Sequence, residues 1–327
     1  MKHFYLHAWA DCDVNKILKK INVCILKKQQ CRLWIMCAEE YDYMPINGHM
    51  IHKFIFKSPL VETWLVIGVL EHKNIKSYTE LGIKVVLWPT FWFYKTIADA
   101  NTENLKTTRD FTRLFICLNN RGHAHRVGTI DKIAESNLFS DGIISWHDDT
   151  AKVRSLSLKN LHLKSEKDDE QFYQHVLPNE FNNCLINLVT ESTVDNYLID
   201  ISEKTINAII AGMPFIIVGC PGVHKKLQDL GFELFTEIFD YEFDSFEHID
   251  QRTNSIVEQL AGIKEKYSKR YNQVYKILQP KISHNRSQLL RIINQNQDLP
   301  KEVINFSVYT EIINKAKEKE QEIRRLK

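Results

Sequence analysis

Residues Cys184 to Leu234 read C-L-I-N-L-V-T-E-S-T-V-D-N-Y-L-I-D-I-S-E-K-T-I-N-A-I-I-A-G-M-P-F-I-I-V-G-C-P-G-V-H-K-K-L-Q-D-L-G-F-E-L. The two continuous apolar runs, Cys184 to Val189 and Pro214 to Val218, suit strands covered on both faces of a parallel sheet. Between them Ile206, Ile209, Ile210 and Met213 form a stripe at helical spacing, with Ser202 placed to cap the helix and Gly212 just beyond its end. A Gly219-Cys220-Pro221-Gly222 turn then leads into a second helix from Val223. The stretch is a βαβα unit, and the expected class is α/β.

Working outward, further short runs rich in β-branched and aromatic residues lie at Arg32 to Met36, Trp64 to Leu70, Lys84 to Trp88, Leu114 to Leu118 and Gly142 to Trp146. A helical pattern fills Val127 to Ser136. The polar interval Asn101 to Arg113 marks a boundary between domains 1–110 and 111–280, each expected to be a doubly wound sheet. Residues 249–297 carry helical stripes such as Ile256, Leu260, Ile263 and Tyr267, then Tyr271, Tyr275 and Leu278. Residues 281–327 are expected to form a helical extension. Its basic tail gives at most a weak membrane-surface contact, because Glu318, Glu320 and Glu322 offset the charge.

The 327 residues carry 43 Lys and Arg against 41 Asp and Glu, a formal charge of +2, with 44% hydrophobic residues. A bound anion must therefore be held by a local site and not by an overall field. Nucleic-acid binding is not expected, since the basic residues are dispersed and the aromatic group Trp88, Phe91, Trp92, Phe93 and Tyr94 lacks interleaved cations; it reads as core or as the edge of an acceptor cleft. No G-x-x-x-x-G-K-[ST] motif occurs, which excludes a P-loop. Seven scattered cysteines without a C-x-x-C pair read as reduced, mostly buried thiols, and no secretory h-region or membrane-length apolar run is present. A cytoplasmic protein is expected.

Chemistry is expected where helices begin. Ser202, Glu203 and Lys204 open the helix of the βαβα unit, where free N–H groups and a lysine charge attract phosphate. Glu203 beside Lys204 suits a ligand with hydroxyls next to its phosphates, such as a nucleotide-sugar. The glycine at 219 would let backbone approach a ligand. A second constellation is L-F-I-C-L-N-N-R-G-H-A-H-R at 114–126, in which a strand ending in Asn119 and Asn120 leads to Arg121 and Arg126. An arginine fork matches phosphate oxygens. His123 and His125 read as ordinary loop residues.

In this order of elements the chain resembles the donor-binding half of the α1,3-fucosyltransferases and related glycosyltransferases of phages and marine bacteria. The resemblance rests on Glu191 and Ser192, on Ile201-Ser202-Glu203-Lys204, on Pro214, Gly219, Pro221 and Gly222, and on Leu114 to Arg126. It covers about residues 111–235, with Ile201 and Ser202 where that family has Val and Thr. It implies a GT-B fold, with a Rossmann-like acceptor domain at 1–110 and a nucleotide-sugar-binding domain at 111–280. Arg126 and Lys204 would hold the diphosphate of a nucleoside-diphosphate sugar, a GDP-sugar being favoured. Glu203 would meet ribose or donor sugar, Asn119 and Glu191 would line the pocket, and Ser202, Arg121 and Gly219 count with them as donor-binding candidates. The implied activity is transfer of a sugar, fucose included, to a glycan or lipid-linked hydroxyl with inversion and without a required metal or other cofactor.

Inversion needs a carboxylate to take the acceptor proton. The candidates are Glu62, Asp13 and Glu40, with Asp11 and Glu39 beside them. Asp11 and Asp13 also spell D-x-D, a chance match so near the start, and no metal site is expected. The rival function is a non-catalytic module of the same fold that binds a nucleotide or glycan.

Overall fold

The computed structural model describes residues 1–7, 14–37, 56–73, 75–87, 109–119, 122–146 and 179–295. Contacts divide the chain into two units, Met1–Thr90 with Asn296–Lys327, and Phe91–Gln295. The aromatic group Trp88 to Tyr94, most of the interval Asn101 to Arg113, the tail after Gln295, and the candidates Asp11, Asp13, Glu39, Glu40 and Arg121 lie outside the described residues.

In the first unit, β1 (Lys2–His7), β2 (Cys31–Cys37), β3 (Val61–Ile67) and β4 (Lys84–Leu87) form a parallel sheet in the order β1-β2-β3-β4. Helix α1 (Val14–Leu26) lies between β1 and β2 in sequence, and α2 (Ile75–Glu80) between β3 and β4. The α1 residues Ile17, Leu18, Ile21, Cys24 and Ile25 recur at helical spacing and pack with Leu33, Ile35, Leu65, Ile67 and Tyr78. Each large aliphatic side chain so covered contributes about 1.5–3 kcal/mol. Because Leu33 and Ile35 alternate with Arg32 and Trp34, the other sheet face carries Arg32, Trp34, Glu62, Trp64 and Lys84 in register.

Two expectations change here. The run read as Trp64 to Leu70 forms a strand three residues earlier, because the ladder with β2 pairs Cys31 with Val61 and Arg32 with Glu62. The strand order also rises without reversal, so the described strands of this unit do not make the doubly wound sheet expected of 1–110.

In the second unit, β5 (Arg113–Asn119), β6 (Gly142–Trp146), β7 (Cys184–Thr190) and β8 (Phe215–Val218) form a parallel sheet in the order β8-β7-β5-β6. Every residue of β7 is buried, which accounts for its unbroken apolar sequence. Helix α3 (Ala124–Glu135) follows β5 towards β6, and α4 (Glu203–Ile210) joins β7 to β8. Helices α5 (Val223–Asp229), α6 (Ile249–Tyr267) and α7 (Tyr271–Gln295) complete the unit, with α3 against α6 and α4 against α7. A boundary between 280 and 281 therefore falls inside one helix, which runs on through Pro280.

Helix α4 begins and ends as its sequence predicts. The Ser202 side chain accepts from the Lys204 N–H, and Gly212 takes the left-handed conformation at φ +63°. The Gly212 carbonyl receives the Tyr275 hydroxyl at 2.9 Å, and the Arg109 guanidinium adds charge at this negative helix end. Asp244 plays the matching part for α5, accepting the backbone N–H groups of His224 and Lys225 and the His224 ring at 2.8 Å. The other ring nitrogen of His224 accepts the Ile217 N–H on β8.

Two glycines give opposite stability predictions. A Cβ at Gly142, the first residue of β6, would run into the Phe115 ring, whereas one at Gly128 inside α3 meets nothing within 4 Å. Gly142→Ala is expected to lower unfolding free energy by roughly 1–3 kcal/mol. Gly128→Ala should raise it by about 0.5–1 kcal/mol. Urea denaturation of the two variants reads both signs.

Candidate functional site

The order β8-β7-β5-β6 makes the neighbours β5 and β7 the place where the winding reverses. From their carboxyl ends the chain departs in opposite directions, through α3 to β6 and through α4 to β8. Such a point opens a crevice outside the strand ends, the usual ligand position in an open α/β sheet. The strand ends here are Asn119 and Thr190, and the next residue, Glu191, joins the two helix starts.

Glu191 is 1% exposed and works with both its side chain and its backbone. Its carboxylate accepts the Ser202 N–H at 3.0 Å, the Ser202 hydroxyl and the Thr205 hydroxyl, so it braces the first turn of α4. Its carbonyl accepts the Arg126 guanidinium at 3.1 Å and the His125 Nε2–H at 2.8 Å, both from the first turn of α3. Helix α3 starts without a side-chain cap and has no acidic residue in its first turn. Two positive helix ends and the Arg126 cation thus meet one residue at the switch point.

Lys204 reaches the Ser192 and Ser202 hydroxyls at 3.1 Å each and the Glu203 carboxylate at 2.7 Å. Both partners of this ion pair are 20% exposed. Burial alone would lower the Lys204 pKa, but Glu203 and Glu191 outweigh it and hold the ammonium charged, with Arg126 opposing. Glu203 alone would repel a phosphate, but as they stand the two side chains neutralise each other.

His125 differs. Burial pushes its pKa down to about 4; the Glu191 carbonyl opposes the shift, while Arg126, His123 and Lys204 add to it. The ring is therefore neutral at pH 7, and since a carbonyl only accepts, Nε2 carries the proton.

The remaining sequence candidates take supporting places. Asn119 is buried and cross-links strand ends, its N–H donating to the Ser145 hydroxyl at 3.0 Å and its side-chain oxygen accepting from Thr190 at 2.7 Å. Gly219 lies beneath Glu191, where an added Cβ would meet the Glu191 side chain at 3.5 Å and Ile217 at 3.0 Å. The tight approach is the one to Ile217, while the distance to Glu191 is an ordinary contact. The structure thus groups Arg126, Lys204, Glu203, Ser202 and Glu191, with Asn119 and Gly219 one layer below.

Glu62 belongs to the first unit, at the amino-terminal edge of β3, where Arg32 and Lys84 both bind its carboxylate. Burial would raise its pKa, but bonds from Lys84, Trp64 and Arg32 lower it to about 2. A carboxylate held this firmly as an anion is a weak proton acceptor at neutral pH.

Sequence reasoning set His125 aside as an ordinary loop residue, whereas it lies in α3, and it missed Thr205 and Arg252. His125 and Thr205 adjoin the recognised Arg126 and Lys204 and could have been found by reading the whole first turn of each helix. Arg252 gives no local signal. It is 2% exposed on α6 and donates to the carbonyls of Gly219 at 3.0 Å, Val194 at 3.3 Å and Glu247 at 2.9 Å, so it ties the loop after β7 to the turn after β8. The thiols of Cys117, Cys184 and Cys220 are raised to about 11, 12 and 12 by burial and are inert at neutral pH. Among the described residues, no group of three His, Cys, Asp or Glu side chains could share a metal ion, and no helix is long and apolar enough to cross a membrane.

A titration follows from His125. Its folded pKa lies below the ordinary 6.5, so the folded state takes up that proton less readily than the unfolded state. The stability contribution is present above pH 6.5 and is lost as pH falls towards 4. NMR of the histidine rings, assigned with His125→Gln, should place its midpoint well below 6.5, and the variant should lose less thermal stability over that interval. A midpoint near 6.5 would contradict the buried, cation-flanked placement.

No family model and no curated protein matches the chain. Among solved structures it is similar to a crystal structure of an alpha1,3-fucosyltransferase with GDP-fucose, at 10% identity and a TM-score of 0.41 over 91% of each chain.

Proposed function

We propose that the protein is a glycosyltransferase whose second unit binds a nucleoside-diphosphate sugar at the β5/β7 switch point. The observation that carries this reading is the meeting of the α3 and α4 starts, with Arg126 and Lys204, around Glu191. A diphosphate at the α4 start would engage Lys204 and the adjacent N–H groups. Glu203, released from Lys204, would then turn to ribose or sugar hydroxyls, for which a carboxylate has two acceptor oxygens. In transfer with inversion the acceptor oxygen attacks the anomeric carbon as the bond to the diphosphate breaks. Lysine and helix dipole stabilise the charge that develops on the leaving group. A GDP-sugar, and fucose within that class, is the donor we favour; a glycan or lipid-linked hydroxyl is the acceptor.

Arg126 enters as the residue that fixes α3 to Glu191 and adds positive potential from behind, since it is only 2% exposed. The acceptor's base is assigned to none of the described carboxylates. The second reading is a nucleotide-binding module without chemistry, in which the same pocket binds donor and turns nothing over.

Calorimetry with GDP and UDP, followed by donor hydrolysis across a sugar panel, separates the two. Lys204→Ala is expected to weaken nucleotide binding at least about tenfold, the scale of one charged hydrogen bond, with little change in folding. Arg126→Ala should weaken binding and also lower stability, because it removes a buried hydrogen bond to the Glu191 carbonyl and leaves His125 as its remaining side-chain donor. Unaltered affinity in both variants would remove the proposed site. Glu203→Gln should impair use of the donor sugar more than binding of free GDP or UDP, and equal effects would refute its hydroxyl-binding part.

A further inference from the structure

Residues 14–37 contain five lysines and one arginine and neither Asp nor Glu, in a chain whose formal charge is only +2. Helix α1 concentrates this excess. Its inner stripe is locked into the first unit's core, and its outer residues Lys19, Lys20, Val23 and Leu26 are exposed, with Lys27 and Lys28, also exposed, just past its end. These positions recur at three- and four-residue intervals and form one surface stripe. Other short helices of the chain balance lysines internally, as in the Lys76–Glu80 and Lys225–Asp229 pairs, but α1 has no acidic residue to do so. Lys27 and Lys28 suit the negative end of the helix dipole, yet Lys19 and Lys20 lie nearer its middle and gain nothing from it.

Amid these cations, Leu26 is 82% exposed and Val23 46%. Aliphatic side chains set among lysines gain nothing from a phosphodiester backbone, whereas at a bilayer they enter the boundary between headgroups and acyl chains while the ammonium groups meet anionic lipid. We propose that the outer face of α1 docks the protein on an anionic lipid surface. The inference is independent of the nucleotide-sugar site, which belongs to the other unit.

The test is flotation of the full chain with vesicles of phosphatidylcholine alone and of phosphatidylcholine with phosphatidylglycerol. The expected result is binding to the anionic vesicles only, reversed by raised salt. Lys19→Glu with Lys20→Glu should lower the partition coefficient at least about tenfold. Leu26→Ser with Val23→Ser should lower it several-fold, with thermal melting unchanged in both double variants because all four side chains are exposed. Equal binding to both vesicle types, or no binding to either, overturns the proposal. So does indifference to the lysine reversal. Loss with the lysines but not with Leu26 and Val23, together with equally strong binding to duplex DNA, would show a general polyanion surface and would also overturn it.

Discussion

The buried carboxylate of Glu191 is the constraint on which the second unit's candidate site depends. A charged group 1% exposed is tolerated only if its oxygens are bonded, and here Ser202 and Thr205 supply those bonds. Satisfying the carboxylate draws the start of α4 onto the end of β7. The carbonyl of the same residue draws in the start of α3 through Arg126 and His125. Two helix ends that topology would only place near one another are thereby fixed about one point. Arg252 holds the flanking loop and turn by their carbonyls.

This arrangement divides labour among positive groups. Arg126 is interior and structural, and it sets the local potential. Lys204 is partly open and paired with Glu203, so it can exchange one anion for another. His125 is kept neutral by its surroundings and contributes a donor without adding charge. A site with one exchangeable cation and one exchangeable carboxylate suits a ligand that joins phosphate to vicinal hydroxyls better than it suits a bare anion.

Much of the second unit was legible in its sequence. Its continuous apolar runs are strands buried on both faces, Gly142 to Trp146 matches its strand at both ends, and Ser202 and Gly212 bound α4 as their chemistry predicts. The cluster at 191 and 202–204 was visible because its members lie close in sequence. The inward turn of Glu191 and Asn119 was not, because the partners that decide it, Ser202 and Thr205 for the one and Ser145 and Thr190 for the other, come within reach only in the fold. The first unit was less legible. The stripe Ile17, Leu18, Ile21, Cys24 and Ile25 is a helical signal, but lysines interrupt it and it passed unnoticed. Glu62 looked like a candidate base because its partners Arg32 and Lys84 are brought to it only by sheet register. Strand order, which separates a sheet with a switch point from one without, leaves no trace in the apolar runs themselves.

The central claim is that a nucleoside diphosphate sits where α3 and α4 begin. Hydrogen-exchange mass spectrometry with and without GDP or UDP tests it over the whole chain at once. The account predicts added protection in peptides covering 122–130 and 190–210, where the N–H groups of the two helix starts would bind phosphate or be stilled by it. Protection confined to peptides of the first unit, or none at ligand concentrations that saturate binding, would contradict it.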